Sequence, residues 1–201
     1  MPTNDLSARE PDGATPLEEE ERDGLRPSWI ATRADLNEAE QDNLTQARLR
    51  LRRRRLTPQH LLDDQFVRQL HREMFGQVWR WAGTYRTTER NIGIRPWEIP
   101  MAVQSLMADA VFWTTGDQPM PIDDAAARLH HRLVAIHPFP NGNGRHAREL
   151  TDLLLQAQKV ELFSWGRGRL TDAGATRAAY IAALRSADAQ DYEPLMRFVR
   201  S

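Results

Sequence analysis

Residues 137–148 interrupt two helical sequence patterns, and this interruption is the strongest constraint on what the chain can fold into. Apolar residues recur at helical spacing on both sides of it: Ala126, Leu129, Leu133 and Ile136 upstream, and Ala147, Leu150 and Leu154 downstream. Pro138 and Pro140 exclude one continuous helix, because proline lacks the backbone N–H and pushes the preceding residue out of the helical region. We therefore expect two amphipathic helices joined by a short loop, with His137 where the first helix ends.

The loop carries groups that suit a phosphate. Gly142 and Gly144 allow positive φ and close ligand approach at the start of the second helix, where the first amides have no intrahelical partner. Such a nest binds anions. Arg145 and Arg148 supply forked donors on one helical face. A histidine opposite this cradle, His137, can take a proton from an incoming hydroxyl near neutral pH. The pattern predicts phosphoryl or nucleotidyl transfer.

The stretch 137–148, HPFPNGNGRHAR, resembles the signature of the Fic/Doc family, His-Pro-Phe-x-Asp/Glu-Gly-Asn-Gly-Arg-x-x-Arg, and eleven of its twelve positions agree. The segments FGQVWRWAGTY at 75–85 and YIAAL at 180–184 are also similar to Fic-domain segments. The resemblance thus extends from about Thr57 to the C-terminus. Within the family, the chain is most similar to the short bacterial branch called mobile mystery protein B, a name that describes gene neighbourhood.

The resemblance implies an all-α fold, a helical bundle with a short β-hairpin flap over the active site. It also implies transfer of AMP from ATP to a Ser, Thr or Tyr hydroxyl of a target protein, with Mg²⁺ across the phosphates. The flap would hold an extended segment of the target by strand addition.

The same resemblance implies roles for single residues. His137 would deprotonate the target hydroxyl. The anion hole and the phosphate clamp would be formed by Gly142, Asn143, Gly144, Arg145 and Arg148. Phe139 would fix the loop in the core. The target-facing positions of the flap would be Thr88, Ile92 and Ile94.

Asn141 is the one departure from the family signature. The family has Asp or Glu there to bind Mg²⁺, and a neutral amide oxygen is a weaker ligand for a hard cation. Two alternatives therefore stay open: an inactive or weakly active module that binds a nucleotide or a partner, and a phosphotransferase that uses the terminal phosphate. A relative that transfers the terminal phosphate has Lys where Gly144 stands, which argues against the second alternative.

Composition excludes several other classes of function. The 201 residues are 40% hydrophobic and 27% charged, as in one soluble globular domain. A net charge of -1 gives no basic field for nucleic acid, and the arginines within 48–55 also suit the end of a helix, so we do not expect a nucleic-acid partner. The absence of cysteine excludes disulfides and thiolate chemistry. No signal peptide or membrane segment is evident in the sequence, and the expected compartment is the bacterial cytoplasm.

The expected domain organisation is an acidic N-terminal arm over residues 1–30, extended or partly disordered, followed by a single Fic-like domain over 31–201. The domain divides into an N-terminal helix at 31–56, capped by Thr32, and a core at 57–201. The alternative for the arm is that it docks on the domain or on a partner through a few anchors: Leu17, Leu25, Trp29 and Ile30. Thr57 and Pro58 predict the start of a helix that continues to Met74.

Two further expectations concern regulation and histidines. Fic proteins often carry an inhibitory Ser/Thr-x-x-x-Glu-Gly/Asn motif whose glutamate pairs with the second motif arginine, but no Glu precedes Gly or Asn here. Inhibition would then come from a degenerate internal lock at Glu38 or Glu40 or from a separate antitoxin-like protein. The alternative is that residues 32–55 only pack on the domain and inhibit nothing. We expect His60 and His71 at or near the surface, and the histidine spacing matches no zinc pattern.

Overall fold

The computed structural model describes residues 22–166 and 173–201, and these residues form a helical fold. Its α-helices are α1 (Arg33–Leu51), α2 (Pro58–Leu61), α3 (Asp64–Phe75), α4 (Ile99–Thr115), α5 (Ile122–Ile136), α6 (Asn143–Ala157), α7 (Ala173–Asp188) and α8 (Glu193–Val199). A 3₁₀ turn at Pro96–Glu98 leads into α4. The described residues contain no strand, and the all-α class is confirmed. None of the helices described here is both long and apolar enough to cross a membrane.

Helices α5 and α6 form the centre of the fold and are joined by the loop 137–142. The apolar positions that predicted them are all buried: Ala126, Leu129, Leu133, Ile136, Ala147, Leu150 and Leu154. Helices α3 and α4 pack against this pair, and α1 packs against α3. The loop is therefore set between two buried helix ends.

The buried apolar side chains form two clusters. The larger one is built from α1 to α6 and includes Phe75, Leu106 and Phe139. The smaller one joins α7 and α8 to the chain around Phe163 and Trp165. Since α5 and α6 contribute residues to both clusters, they connect the two parts of the core.

The helix predicted from Thr57 to Met74 is interrupted in the structure. Helix α2 ends at Leu61, and Asp63 has an extended backbone with φ -138° and ψ 140°. Its carboxylate accepts hydrogen bonds from the amides of Gln65 (2.8 Å) and Phe66 (3.3 Å), which start α3. The prediction was wrong because an aspartate can cap a new helix even within an apolar pattern of helical period.

The predicted N-terminal arm is described only from residue 22 onwards. Leu25 forms an isolated antiparallel bridge with Trp79, and Ile30 is buried in the main cluster. Trp29 is 60% exposed and so does not anchor the arm. Leu17 lies outside the described residues.

Replacing Asp63 by Ala should lower the free energy of unfolding by about 1 kcal/mol, because two amides at the start of α3 lose their acceptor. Urea denaturation measures this loss. Asp63→Asn is the matched control and should cost much less, since an amide oxygen also caps well. Equal losses in the two variants would contradict the capping role.

Candidate active site

His137 ends α5 in a left-handed backbone conformation, with φ 54° and ψ 59°. Its N–H donates to the carbonyl of Leu133 at 3.2 Å, and the residue is 6% exposed. A non-glycine residue in this region carries strain that the surrounding structure must hold. The position of this imidazole is therefore fixed by its neighbours.

The loop over residues 87–95 lies against His137, as expected of a flap, but it is not a hairpin. Residues 87–95 form bends and irregular chain and no strand. The carbonyls of Thr88 and Ile94 accept hydrogen bonds from the guanidinium of Arg86. The Arg86 side chain thus takes the carbonyls that backbone hydrogen bonds between two strands would use. The predicted hairpin is wrong for this reason.

The three predicted target-facing positions of the flap differ in exposure. Ile92 is 41% exposed. Ile94 is half-buried against the main apolar cluster. The hydroxyl oxygen of Thr88 is buried. Of the three, Ile92 is the side chain that the structure presents to solvent.

Phe139 is completely buried and anchors the loop between α5 and α6. Its ring stacks on His71, with 3.8 Å between ring centroids. The Asn143 side chain accepts from the N–H of Phe139 (2.9 Å) and donates to its carbonyl (2.7 Å). The Asn143 side chain therefore closes the loop, and its backbone amide is the group that can contribute to an anion hole.

His71 is buried, contrary to the expectation of a surface or partly buried residue. Its Nδ1 accepts from the N–H of Gly83 at 3.0 Å, so the proton is on Nε2, which lies 3.0 Å from the carbonyl of Asn141. One neutral imidazole thus joins the loop 137–142 to the turn at Gly83. His60, by contrast, is exposed as expected.

The start of α6 has the backbone features of an anion site. Gly142 has φ 79°, and a Cβ there would lie 2.7 Å from the Phe75 ring, so this position requires glycine. A Cβ added to Gly144 would contact only the Tyr180 hydroxyl, at 3.9 Å. The first amides of α6 have no carbonyl partner within the helix. The space next to Gly144 is therefore open, and a phosphate can approach this helix end.

Asn141, the predicted metal ligand, is engaged by neighbouring groups of the loop and of α6. Its Oδ1 accepts from the N–H of Gly142 at 2.5 Å and lies 3.4 Å from Nη2 of Arg145. The amide oxygen that would bind a cation therefore accepts from N–H donors in this structure. Among the described residues, no group of three His, Cys, Asp or Glu side chains could hold a metal ion.

The two motif arginines have different surroundings. Arg145 forms an ion pair with Glu40 of α1, with 2.6 Å between Nη1 and Oε2, and Oε1 of Glu40 accepts from the Trp79 indole at 2.7 Å. Arg148 lies over the ring of Tyr180, 4.6 Å from its centroid. The glutamate that reaches the motif is therefore Glu40, which pairs with the first arginine.

Burial and nearby arginines keep the site histidine neutral. Burial, followed by the charges of Arg86 and Arg90, lowers the pKa of His137 from 6.5 to about 4. A neutral imidazole at pH 7 can accept a proton. Burial also lowers the pKa of His130 to about 3 and that of His146 to about 4.

The remaining histidines make separate contacts on different elements. His130 Nε2 lies 2.9 Å from the Tyr180 hydroxyl, and His146 Nε2 lies 2.9 Å from the Val67 carbonyl. His131 lies between the Tyr192 hydroxyl (3.1 Å) and Asp188 (2.8 Å). These contacts connect helices to one another.

Sequence comparisons relate the chain to known proteins. The sequence model of the Fic/DOC family matches residues 61–155. Protein adenylyltransferase fic-1 of Caenorhabditis briggsae is 33% identical over 141 residues, which are 69% of this chain and 26% of the relative. The chain thus spans about a quarter of the length of that relative.

Solved structures show the same fold. Fic-1 from Caenorhabditis elegans matches with a TM-score of 0.60 and 26% identity, over 87% of this chain and 50% of the other. BepC, a VirB-translocated effector protein from Bartonella tribocorum with bound AMPPNP, matches with a TM-score of 0.65 and 18% identity, over 91% and 97% of the two chains. The second likeness concerns the fold alone.

The buried histidines should make stability depend on pH. In His71, His130, His137 and His146 the folded pKa lies below the unfolded value of 6.5, so the unfolded chain takes up protons first as pH falls. Their stabilisation is complete above pH 6.5 and decreases below it, by up to about 1.4 kcal/mol per pH unit for each histidine. Urea unfolding at pH 7.5 and 5.5 measures the change. His130→Asn should weaken the dependence, whereas equal stability at both pH values in the parent protein would contradict it.

Proposed function

We propose that the chain is a protein adenylyltransferase of the Fic/DOC family, which moves AMP from ATP to a Ser, Thr or Tyr hydroxyl of a target protein. The match of residues 61–155 to the Fic/DOC family model and the similarity to a protein adenylyltransferase support this. One observation carries the proposal. His137 is neutral and buried at the end of α5. Only residues 138–141 separate it from Gly142 and from the start of α6. A base and an anion cradle on one anchored loop suit attack on a phosphate.

In the proposed reaction, His137 accepts the proton of the target hydroxyl as its oxygen attacks the α-phosphorus of ATP. The new bond joins that oxygen to phosphorus, and the bond to the bridging oxygen of pyrophosphate breaks in line. The backbone amides of Gly142, Asn143 and Gly144, together with Arg145 and Arg148, oppose the negative charge on the phosphates. Phe139 keeps the loop in place for these contacts.

Mg²⁺ is the cofactor that the family resemblance implies for ATP, and it belongs to the proposal in that sense only. Asn141 would be its protein ligand, but the amide oxygen is turned to the Gly142 N–H and to Arg145. We assign no step to the metal. A carboxylate at this position would offer the oxygen that Mg²⁺ prefers.

A second candidate function is a weakly active or inactive nucleotide-binding module. Two contacts favour it: Asn141 is engaged by the backbone, and Glu40 occupies one motif arginine. No contact of the described residues favours transfer of the terminal phosphate, and a γ-phosphate label detects it.

Target docking is proposed at the flap, with Ile92 as its exposed apolar contact. Because Arg86 takes the carbonyls of Thr88 and Ile94, strand addition would use the backbone between them. We further propose that the protein is a bacterial cytoplasmic enzyme of the mobile mystery protein B branch. A separate antitoxin-like protein would inhibit its transfer activity. Glu40 on Arg145 adds an internal restraint.

Transfer of label from ATP tests the activity. Incubation of the protein and a cell lysate with ATP labelled at the α-phosphate should label protein, and label at the γ-phosphate should not transfer. His137→Ala should lower the rate roughly 10²- to 10⁴-fold, because the base is removed. His60→Ala, which changes an exposed histidine, is the matched control and should leave the rate unchanged.

Transfer of the γ-label alone would contradict AMP transfer. If neither label transfers, Asn141→Asp decides between the remaining candidates: restored, Mg²⁺-dependent labelling would show that the metal ligand is the missing part. If Asn141→Asp also transfers no label, this result favours the nucleotide-binding module.

Replacing Glu40 by Gln should increase the affinity for a non-hydrolysable ATP analogue, because Gln keeps the acceptor for Trp79 and removes the charge that competes for Arg145. A gain of roughly tenfold corresponds to about 1.4 kcal/mol. Calorimetric titration measures it. Glu38→Gln, on the exposed side of the same helix, should change nothing. Unchanged affinity in Glu40→Gln would leave inhibition to a separate protein.

A further inference from the structure

Arg86 is a buried arginine between the flap and the motif loop, with 3% of its surface exposed. Its guanidinium donates to three backbone carbonyls. Nε donates to His137 O at 2.7 Å, Nη1 donates to Thr88 O at 2.9 Å, and Nη2 donates to Ile94 O. A buried charge of this kind is tolerated only where its donors are satisfied.

The backbone around Arg86 adds to this connection. Its N–H donates to the carbonyl of Pro138 at 2.9 Å, and the N–H of Ile94 donates to that of Ile136 at 3.4 Å. The two ends of the flap thus bond to the residues on either side of His137. Gly93 lies so close that a Cβ there would be 2.6 Å from Cβ of His137.

We propose that Arg86 is a positioning residue for His137: its three carbonyl contacts hold the histidine in the left-handed conformation and keep the flap closed over it. This inference rests on the proposed function of His137 as the base. The planar fork of arginine can reach three carbonyls in fixed directions, whereas a lysine ammonium offers a point charge without that geometry.

The charge of Arg86 supports a second effect on the same group. Besides burial, the charged groups that lower the pKa of His137 are Arg86 and Arg90. Removing the charge of Arg86 while keeping that of Arg90 should raise the pKa of His137. Charge and hydrogen-bond geometry are therefore separable by substitution.

The test compares the full chain with Arg86→Gln, which removes the charge, and Arg86→Lys, which keeps the charge and loses the fork. Arg95→Gln is the matched control, because Arg95 is an exposed arginine of the same loop, 5.6 Å from the Trp97 ring centroid. The first readout is the NMR titration of the His137 imidazole, assigned by its absence in His137→Ala. The second is hydrogen exchange of the flap amides.

Arg86→Gln should raise the pKa of His137, and Arg86→Lys should leave it low. Both should speed exchange at the Ile94 amide roughly 10- to 100-fold, as expected for the loss of charge-assisted hydrogen bonds. Arg95→Gln should change neither readout. An unchanged titration and unchanged exchange in a folded Arg86→Gln would overturn the proposal. If Arg86→Gln does not fold, exchange in Arg86→Lys decides, and parent-like exchange there overturns it.

Transfer assays add a readout that a merely structural role would not give. Arg86→Lys should lower kcat roughly 10- to 100-fold, as expected for a misplaced base, with little change in KM for ATP. In the His137→Ala background the same substitution should cost nothing further. A further loss there would show that Arg86 does not act through His137. Since NMR and exchange need no transfer, a protein that transfers no label can still support the positioning role.

Discussion

The stack of Phe139 on His71 is the contact on which the site depends. It fills the core beneath the loop 137–142 and, through the hydrogen bond of His71 to the Asn141 carbonyl, fixes the backbone just before α6 begins. Asn143 closes the same loop from within. Because these contacts are buried, the end of α5 and the start of α6 are held relative to each other. A base and an anion cradle can then act on one ligand.

The electrostatics of the site follow from burying histidine among arginines. Arg86 and Arg90 oppose a proton on His137, and the site as a whole favours negative charge. An incoming triphosphate would partly cancel this field, which makes the imidazole a better proton acceptor when substrate is present. In the ligand-free protein, the carboxylate of Glu40 cancels part of the same positive field, because it pairs with Arg145 where a phosphate would bind.

Local features were predictable from the sequence, and long-range choices were not. The helical period predicted α5 and α6, and Thr32 caps α1 as predicted. The motif predicted the site residues, which stay a prediction. The burial of His71 depends on residues far along the chain, which no local pattern shows. Glu40 rather than Glu38 reaches the motif because only one face of α1 is turned inward.

The role of Arg86 also escaped sequence reasoning, because an isolated arginine after a tyrosine reads as a surface residue. Its carbonyl contacts appear only when the flap folds back on His137, and they explain why the flap has no strands.

A structure of the protein with a non-hydrolysable ATP analogue tests the central claim most directly, that one anchored loop holds both the base and the phosphate cradle. We predict that the phosphates bind to the amides at 142–144, that Arg145 leaves Glu40, and that the α-phosphate lies on the side of His137. A nucleotide bound away from the start of α6, with the Arg145–Glu40 pair intact, would contradict it.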